Sequence, residues 1–487
     1  SGALHDIGAD PSRFEGVAVP LALKRQRTFF GQPVRLRIAC EEGIAGVDPK
    51  DPPVAAVKEA FAAAIDGDRP GPTLPQLLTA LNVLHQYEMS EYGRDNMAGA
   101  IAEGRRLTEL YPLAGPEVDK AERAALVRAT MHVDHVDRAI AFAREGGPQT
   151  AFVHAFLSRM MELRAGNAEQ ARRMRRGSAA QQSYAVIGSI AWGKAFVDKL
   201  MNYNVPSLLA AGNIPALARR RRVVHSIVTT ETDRKRIVSH PVFAHLSRDA
   251  EVIFTCFPES FIARREQEQY PFYPFYGLLD HQSVFLASAL QAELYLLPVD
   301  IVLSHDSLTN LGRRLDRGAD ACSVAGIECE PALLKAWLDA RPRGPLGEFD
   351  LPPSELMDAA LSIPDAYARS LVMNADNRSF CRYPRELAWP HPDGLSVHSI
   401  YMHPVAVSSR LTSRPFSPSY ENVDYALLPR LLQGDGKLEI LEDAREMVIA
   451  QFGAPAAREE FREGGFSIES FMDAHWYDYA VHRRCFA

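Results

Sequence analysis

A chain of 487 residues is too long for one ordinary core and points to two or three domains. With 47% hydrophobic and 24% charged residues the composition is globular, which excludes a disordered chain. The formal net charge of −7 argues against a non-specific nucleic-acid binder, whose phosphate contacts need a basic surface.

Six cysteines (Cys40, Cys256, Cys322, Cys329, Cys381 and Cys485) are scattered and form no C-x-x-C pair. That argues against a disulfide framework or a zinc ribbon and for free thiols in a reducing cytoplasm. No uninterrupted apolar stretch reaches bilayer length, and no secretory signal opens the chain. Ser1-Gly2 reads as an expression remnant, which leaves open a natural start or an anchoring segment upstream.

In chain order, residues 1–53 are mixed. Residues 34–40 (VRLRIAC) alternate apolar and polar side chains, as a strand does, and Pro52-Pro53 breaks the pattern. From 54 to about 201 the spacing is helical. Residues 56–65, 77–87, 121–144 and 150–165 carry apolar side chains at helical intervals, with Gly/Pro breakers between them. This predicts a helical domain over 54–211, a bundle or helix-pair array with no fixed repeat.

The pattern changes at the Pro/Gly-punctuated residues 204–215 and the run Arg219-Arg220-Arg221-Arg222, and a domain boundary is expected over 211–222. Beyond it lie a β-branched strand at 223–230 (VVHSIVTT), a helix from 233, a strand at 250–256 and an aromatic loop at 270–276 (YPFYPFY). There follow a helix at 281–292, a strand at 293–303 with an acidic end and a helix at 305–317. A strand-like stretch at 319–327 and a helix at 331–340 complete the alternation. Such alternation predicts a mostly parallel sheet covered on both faces. From about 344 the chain reads as an irregular, Pro- and aromatic-rich extension with one last helix at 438–451.

No G-x-G-x-x-G follows a strand, and no P-loop, H-E-x-x-H or G-x-S-x-G occurs. The informative segment is 294–308 (LYLLPVDIVLSHDSL), where an apolar strand runs into Asp300 and a helix follows. Ligands of open α/β sheets bind beyond the carboxyl ends of the strands. A carboxylate there either binds a cation that holds a diphosphate or merely opens a turn.

That segment resembles the strand–acid–loop–helix signature of GT-A glycosyltransferases. The resemblance covers roughly 223–330 and leaves the helical N-terminal domain outside it; it implies that this domain is followed by a Rossmann-like GT-A α/β catalytic domain over 223–487, with an acceptor-side region from about 344. Asp300 matches the second acid of the family's D-x-D-like pair, which binds Mn or Mg with the donor's phosphates, whereas Pro298 replaces the first. Residues 223–233 resemble the fold's first strand and nucleotide-binding turn, placing Thr229, Thr230, Glu231 and Asp233 at the base and ribose edge. His281 would stand near the nucleotide as a second catalytic candidate. In the strand-like stretch 397–407, which also holds His398, His403 would complete the metal site as a neutral imidazole ligand beside Asp300, or else be a hydrogen-bonded core histidine.

Other features carry competing readings. His132, Asp134, His135 and Asp137 lie on an expected helix, with His132 and His135 on one face; a solvated face is expected there, not a metal site. The arginine run reads as a solvated linker or a phosphate contact, and the aromatic loop as a stacking surface or interdomain packing.

The expected function is glycosyl transfer from a nucleotide sugar to a glycan or protein acceptor, aided by a divalent cation. Asp365, Asp376 and Asp424 are candidate bases. Nucleic acid is not an expected partner; the helical domain offers peripheral membrane or protein contacts. Two rivals stand beside this reading: a helical interaction protein with a degenerate nucleotide-binding domain, and another nucleotide-using transferase such as a nucleotidyltransferase.

Overall fold

The computed structural model describes residues 120–132, 135–176, 183–372, 404–413 and 436–453, with short pieces elsewhere. The strand expected at 34–40 and the helices expected at 56–65 and 77–87 lie outside the described residues, apart from the buried Leu77 and Leu81.

The first helices whose bounds are described are α1 (Lys120–His132), α2 (Val136–Glu145) and α3 (Ala151–Arg176). The single helix expected over 121–144 is therefore two. Apolar spacing continues across the break, so periodicity alone could not reveal it. Because α1 ends at His132 and His135 caps α2, the two histidines do not share one helix face. The α3 helix outruns its expected end at 165, since the residues beyond are good helix formers such as Ala, Glu, Gln and Arg.

Tyr184–Ile190 (β1) lies inside the stretch read as helical, and it is an interior strand of the sheet. All seven of its residues are buried, because neighbours flank it on both edges and helices cover both faces. The sheet thus begins upstream of the boundary expected over 211–222. Its other strands are β2 (Arg222–Thr230), β3 (Glu251–Phe257), β4 (Glu293–Leu296), β5 (Ala321–Ser323), β6 (Pro404–Val407) and β7 (Leu438–Ile440). Their order is β3-β2-β1-β4-β6-β5-β7. Strands β1 to β4 pair in parallel, β6 runs antiparallel to both neighbours, and β7 is parallel to β5.

A second sheet holds Ile301–Leu303, Ile449–Phe452 and Ile327–Cys329, with Ile449–Phe452 in the middle. The strand expected over 293–303 is consequently two strands in two sheets, separated by a turn at Val299 and Asp300 that follows Pro298. The strand-like stretch at 319–327 likewise divides between the two sheets. The helix expected at 438–451 is replaced by β7 and by the strand Ile449–Phe452. The extension expected to be irregular contains the helices Pro353–Ser362 and Ala366–Ser370.

The aromatic run at 270–276 is the start of a long helix, Phe272–Leu290, and not a loop. Tyr270 and Phe275 are buried against Phe152 and Phe156 of α3, with Phe156 and Phe275 stacked at 4.7 Å. This helix lies close on β1 because residue 188 is glycine: a Cβ there would stand 2.8 Å from that of Ser283.

The arginine run sits at the amino ends of the parallel strands. Arg221 pairs with Glu293 and Asp316, Arg220 with Asp316, and Arg222 with Glu251 at 2.7 Å. The fully buried Tyr295, its pKa raised by that burial, donates its hydroxyl to Glu293 at 3.0 Å. These arginines tie strand starts together, on the edge opposite to the one described next.

Candidate site at the carboxyl edge of the sheet

Chain connections leave β1 in one direction, to β2 and β3, and return on its other side as β4. Such a reversal opens a crevice beyond the carboxyl ends of the two diverging strands. Here the crevice is flanked by residues 191–193 after β1 and by residues 297–300 after β4.

The first flank is fixed by its backbone. Ala191 N–H donates to Val228 O at 3.0 Å, and Gly193 N–H donates to Asp233 Oδ2 at 2.6 Å. Gly193 has φ +77°, which favours glycine, and nothing lies within 4 Å of where its Cβ would be. Helix α4 (Lys194–Lys199) starts from it. Trp192 stands in this flank among Phe257, Phe272, Phe275 and Tyr276, and Phe272 remains 45% exposed.

Thr229, Thr230 and Asp233, expected at the ribose, stand behind this flank and are buried. Thr230 caps the helix Glu231–Ser239 (α5), accepting from Asp233 N–H at 3.2 Å. Asp233 accepts in turn from Thr230 Oγ1 and Arg236 as well as from Gly193. Of the four, Glu231 alone is exposed. It pairs with Arg234, which holds its carboxyl below the usual range. Their strand is the sheet's second, not its first.

The second flank carries Asp300, half-buried in its turn. Leu297 N–H donates to Gly188 O, and Ser189 Oγ donates to Leu297 O, both at 3.1 Å, which docks this flank on β1. Ser189 Oγ also meets Nε2 of the fully buried His225, whose pKa burial pushes down to about 4. Asn204 is 0% exposed, and its Nδ2 donates to Pro298 O at 3.2 Å and to Ile301 O at 3.0 Å, clamping the turn on both sides of Asp300. Asp300 O accepts from Phe452 N–H at 2.8 Å.

Asn204 ends a π-helical turn, Leu200–Asn204, between α4 and the helix Val205–Leu208. Ser207 and Asn213 continue the clamp along the chain: Ser207 Oγ accepts from Leu303 N–H, and Asn213 Nδ2 donates to Ser304 O. Sequence reasoning missed β1, Trp192, Gly193 and Asn204. The available signal was the run at 184–190 (YAVIGSI), rich in β-branched residues and followed closely by Trp192-Gly193; nothing in the sequence marked Asn204.

His281 is fully buried in the middle of Phe272–Leu290, its Nδ1 2.7 Å from Gly277 O, and does not open that helix. His403, Asp376 and Asp424 lie outside the described residues, as does the side chain of His398. Asp365 is 4% exposed. Its Oδ1 accepts from Ala368 N–H at 2.7 Å, while its Oδ2 is buried against Gly453, the residue after Phe452, without a hydrogen-bond partner among the described residues. His135 meets Thr108 Oγ1 at 2.7 Å, and burial lowers its pKa.

Among the described residues no group of three or more His, Cys, Asp or Glu could hold a metal ion, and no helix is long and apolar enough to cross a membrane. No protein-family model matches the chain and no curated protein matches it. The site therefore rests on its own geometry.

Proposed function

We propose that this protein is a GT-A-type glycosyltransferase that moves a sugar from a nucleotide donor to a glycan or protein hydroxyl. The observation that carries the reading is the placement of Asp300: a clamped acid at the carboxyl edge, across the topological switch from an open glycine-headed loop. The donor would lie between residues 191–193 and 297–300, its base near Trp192 and its diphosphate near Asp300.

Asp300 would share a divalent cation, Mn or Mg, with the diphosphate and, in this proposal, with His403. The cation would stabilise the departing charge as a Lewis acid. The acceptor oxygen forms a bond to the anomeric carbon while the bond from that carbon to the phosphate oxygen breaks. The diphosphate leaves with the electron pair, and the hydroxyl proton passes to a carboxylate base.

One observation favours a second reading, a nucleotide binder without turnover: Pro298 stands where the family pattern has its first acid. A screen of UDP-, GDP-, CDP- and ADP-sugars with Mn decides between them. The expected result is hydrolysis or transfer from one donor, abolished in Asp300→Ala with an unchanged melting temperature. Binding without turnover supports the second reading. Turnover of a nucleoside triphosphate instead would point to a nucleotidyltransferase, and an unimpaired Asp300→Ala would remove Asp300 from the chemistry.

A further inference from the structure

We infer that Lys199 is a protein cation that meets the diphosphate of the bound nucleotide. The inference rests on the donor reading above and adds to it a residue that no sequence pattern singled out.

Lys199 is the last residue of α4, the helix that starts at Gly193. Its Nζ lies 5.2 Å from the ring centroid of Phe196 and 5.5 Å from that of Phe452. Phe452 is 4% exposed, and its backbone N–H is the donor to Asp300 O. The ammonium thus stands over the strand end that also fixes the Asp300 turn.

Its electrostatic situation is unlike that of its neighbours. Lys194 pairs with Asp198, Lys335 with Asp339 and Lys437 with Glu439. No carboxylate among the described residues lies within ion-pair distance of Lys199. Lys335 stands nearby, 6.0 Å from the ring centroid of Tyr203, but Asp339 already neutralises it. Aromatic faces attract an ammonium through their quadrupole and carry no net charge. Lys199 is therefore held in place by ring faces, with no carboxylate partner among the described residues.

A diphosphate brings several negative charges to this corner. Asp300 is a single acid, with Pro298 in place of a partner, so any cation it binds is held by fewer carboxylates than the paired pattern supplies. A lysine acts on phosphate as a point charge and does not need the planar fit of arginine. Phe196, at the same corner, is 45% exposed.

Calorimetric titration of the full-length chain tests the assignment. Probes are UDP, GDP, CDP and ADP, the matching monophosphates and inorganic pyrophosphate, each with Mn and again in EDTA. Lys199→Met is expected to weaken the preferred diphosphate by about tenfold or more, the loss of one hydrogen bond to a charged group. The monophosphate should change little, and Lys199→Arg should retain most of the affinity. Lys199→Gln replaces the Met variant if the latter fails to fold. Equal losses on diphosphate and monophosphate, or no loss on either, would overturn the assignment. Pyrophosphate binding that depends on Lys199, with no nucleotide bound, would keep the cation and sink the donor reading. Wild-type protein that binds neither nucleotides nor pyrophosphate would sink both.

Discussion

His225 illustrates how a single polar group is tolerated inside the sheet. It is fully buried on β2, touches Ser189 through Nε2, and is held neutral by desolvation, with its pKa lowered from 6.5 to about 4. The unfolded chain binds a proton more readily than the folded one between those two values. Stability from this residue is therefore complete above pH 6.5 and is lost as pH falls towards 4. The melting temperature is expected to drop over that window, and His225→Gln should flatten the drop. An unchanged pH profile in the variant would show that other groups set the acid limit.

At the scale of elements, the π-helical turn Leu200–Asn204 matters most, because it ends in the side chain that clamps the Asp300 turn. Such turns often occur at functional sites. Asn204→Ala takes this donor from the buried Ile301 carbonyl, at a cost of about 1–3 kcal/mol for a group left unsatisfied, and leaves Pro298 O to the bond from Ile301 N–H. Asn213→Ala removes comparable bonds farther along the chain, to Ser207 O and Ser304 O. Both variants are expected to lose melting temperature, whereas Asn204→Ala alone should lose turnover beyond that loss, read as a fall in kcat at similar KM. Equal turnover in the two would reduce Asn204 to a packing residue.

Elements differed in how far they could be read from sequence. The strand at 222–230 and its following helix were legible because β-branched residues run straight into a Thr cap. Tyr184–Ile190 was not, since a fully buried strand and a buried helix segment look alike in periodicity. Residues 438–451 contain good helix formers, yet pairing with β5 and with Ile301–Leu303 overrides that local preference. Asp300 could be picked out as an acid after an apolar run. Asn204, 97 residues before Ile301, could not, because only the fold brings them together.

Across the whole molecule the two edges of the sheet have opposite tasks. Ion pairs from Arg220, Arg221 and Arg222 fasten the amino edge, while the carboxyl edge carries Gly193, Asn204 and Asp300. The C-terminal region is part of this sheet and does not merely cover it. Removing everything after residue 343 would take away β6, β7 and the middle strand of the second sheet. Strands β4 and β5 would lose partners, and Asp300 would lose Phe452. A chain ending at 343 is expected to show no cooperative melt and rapid proteolysis throughout. A stable, protease-resistant fragment would mean that the first four strands fold by themselves.

The antiparallel β6 also sets an order in time. It inserts between two strands made much earlier, so during synthesis β4 waits with an open edge. Asp300 leaves the ribosome roughly 150 residues before Phe452, a delay on the order of ten seconds at ordinary translation rates. During that interval the exposed edge invites pairing with other chains. The Asp300 corner is thus among the last of the described parts to close, and the newborn chain is most in need of a chaperone just before it does.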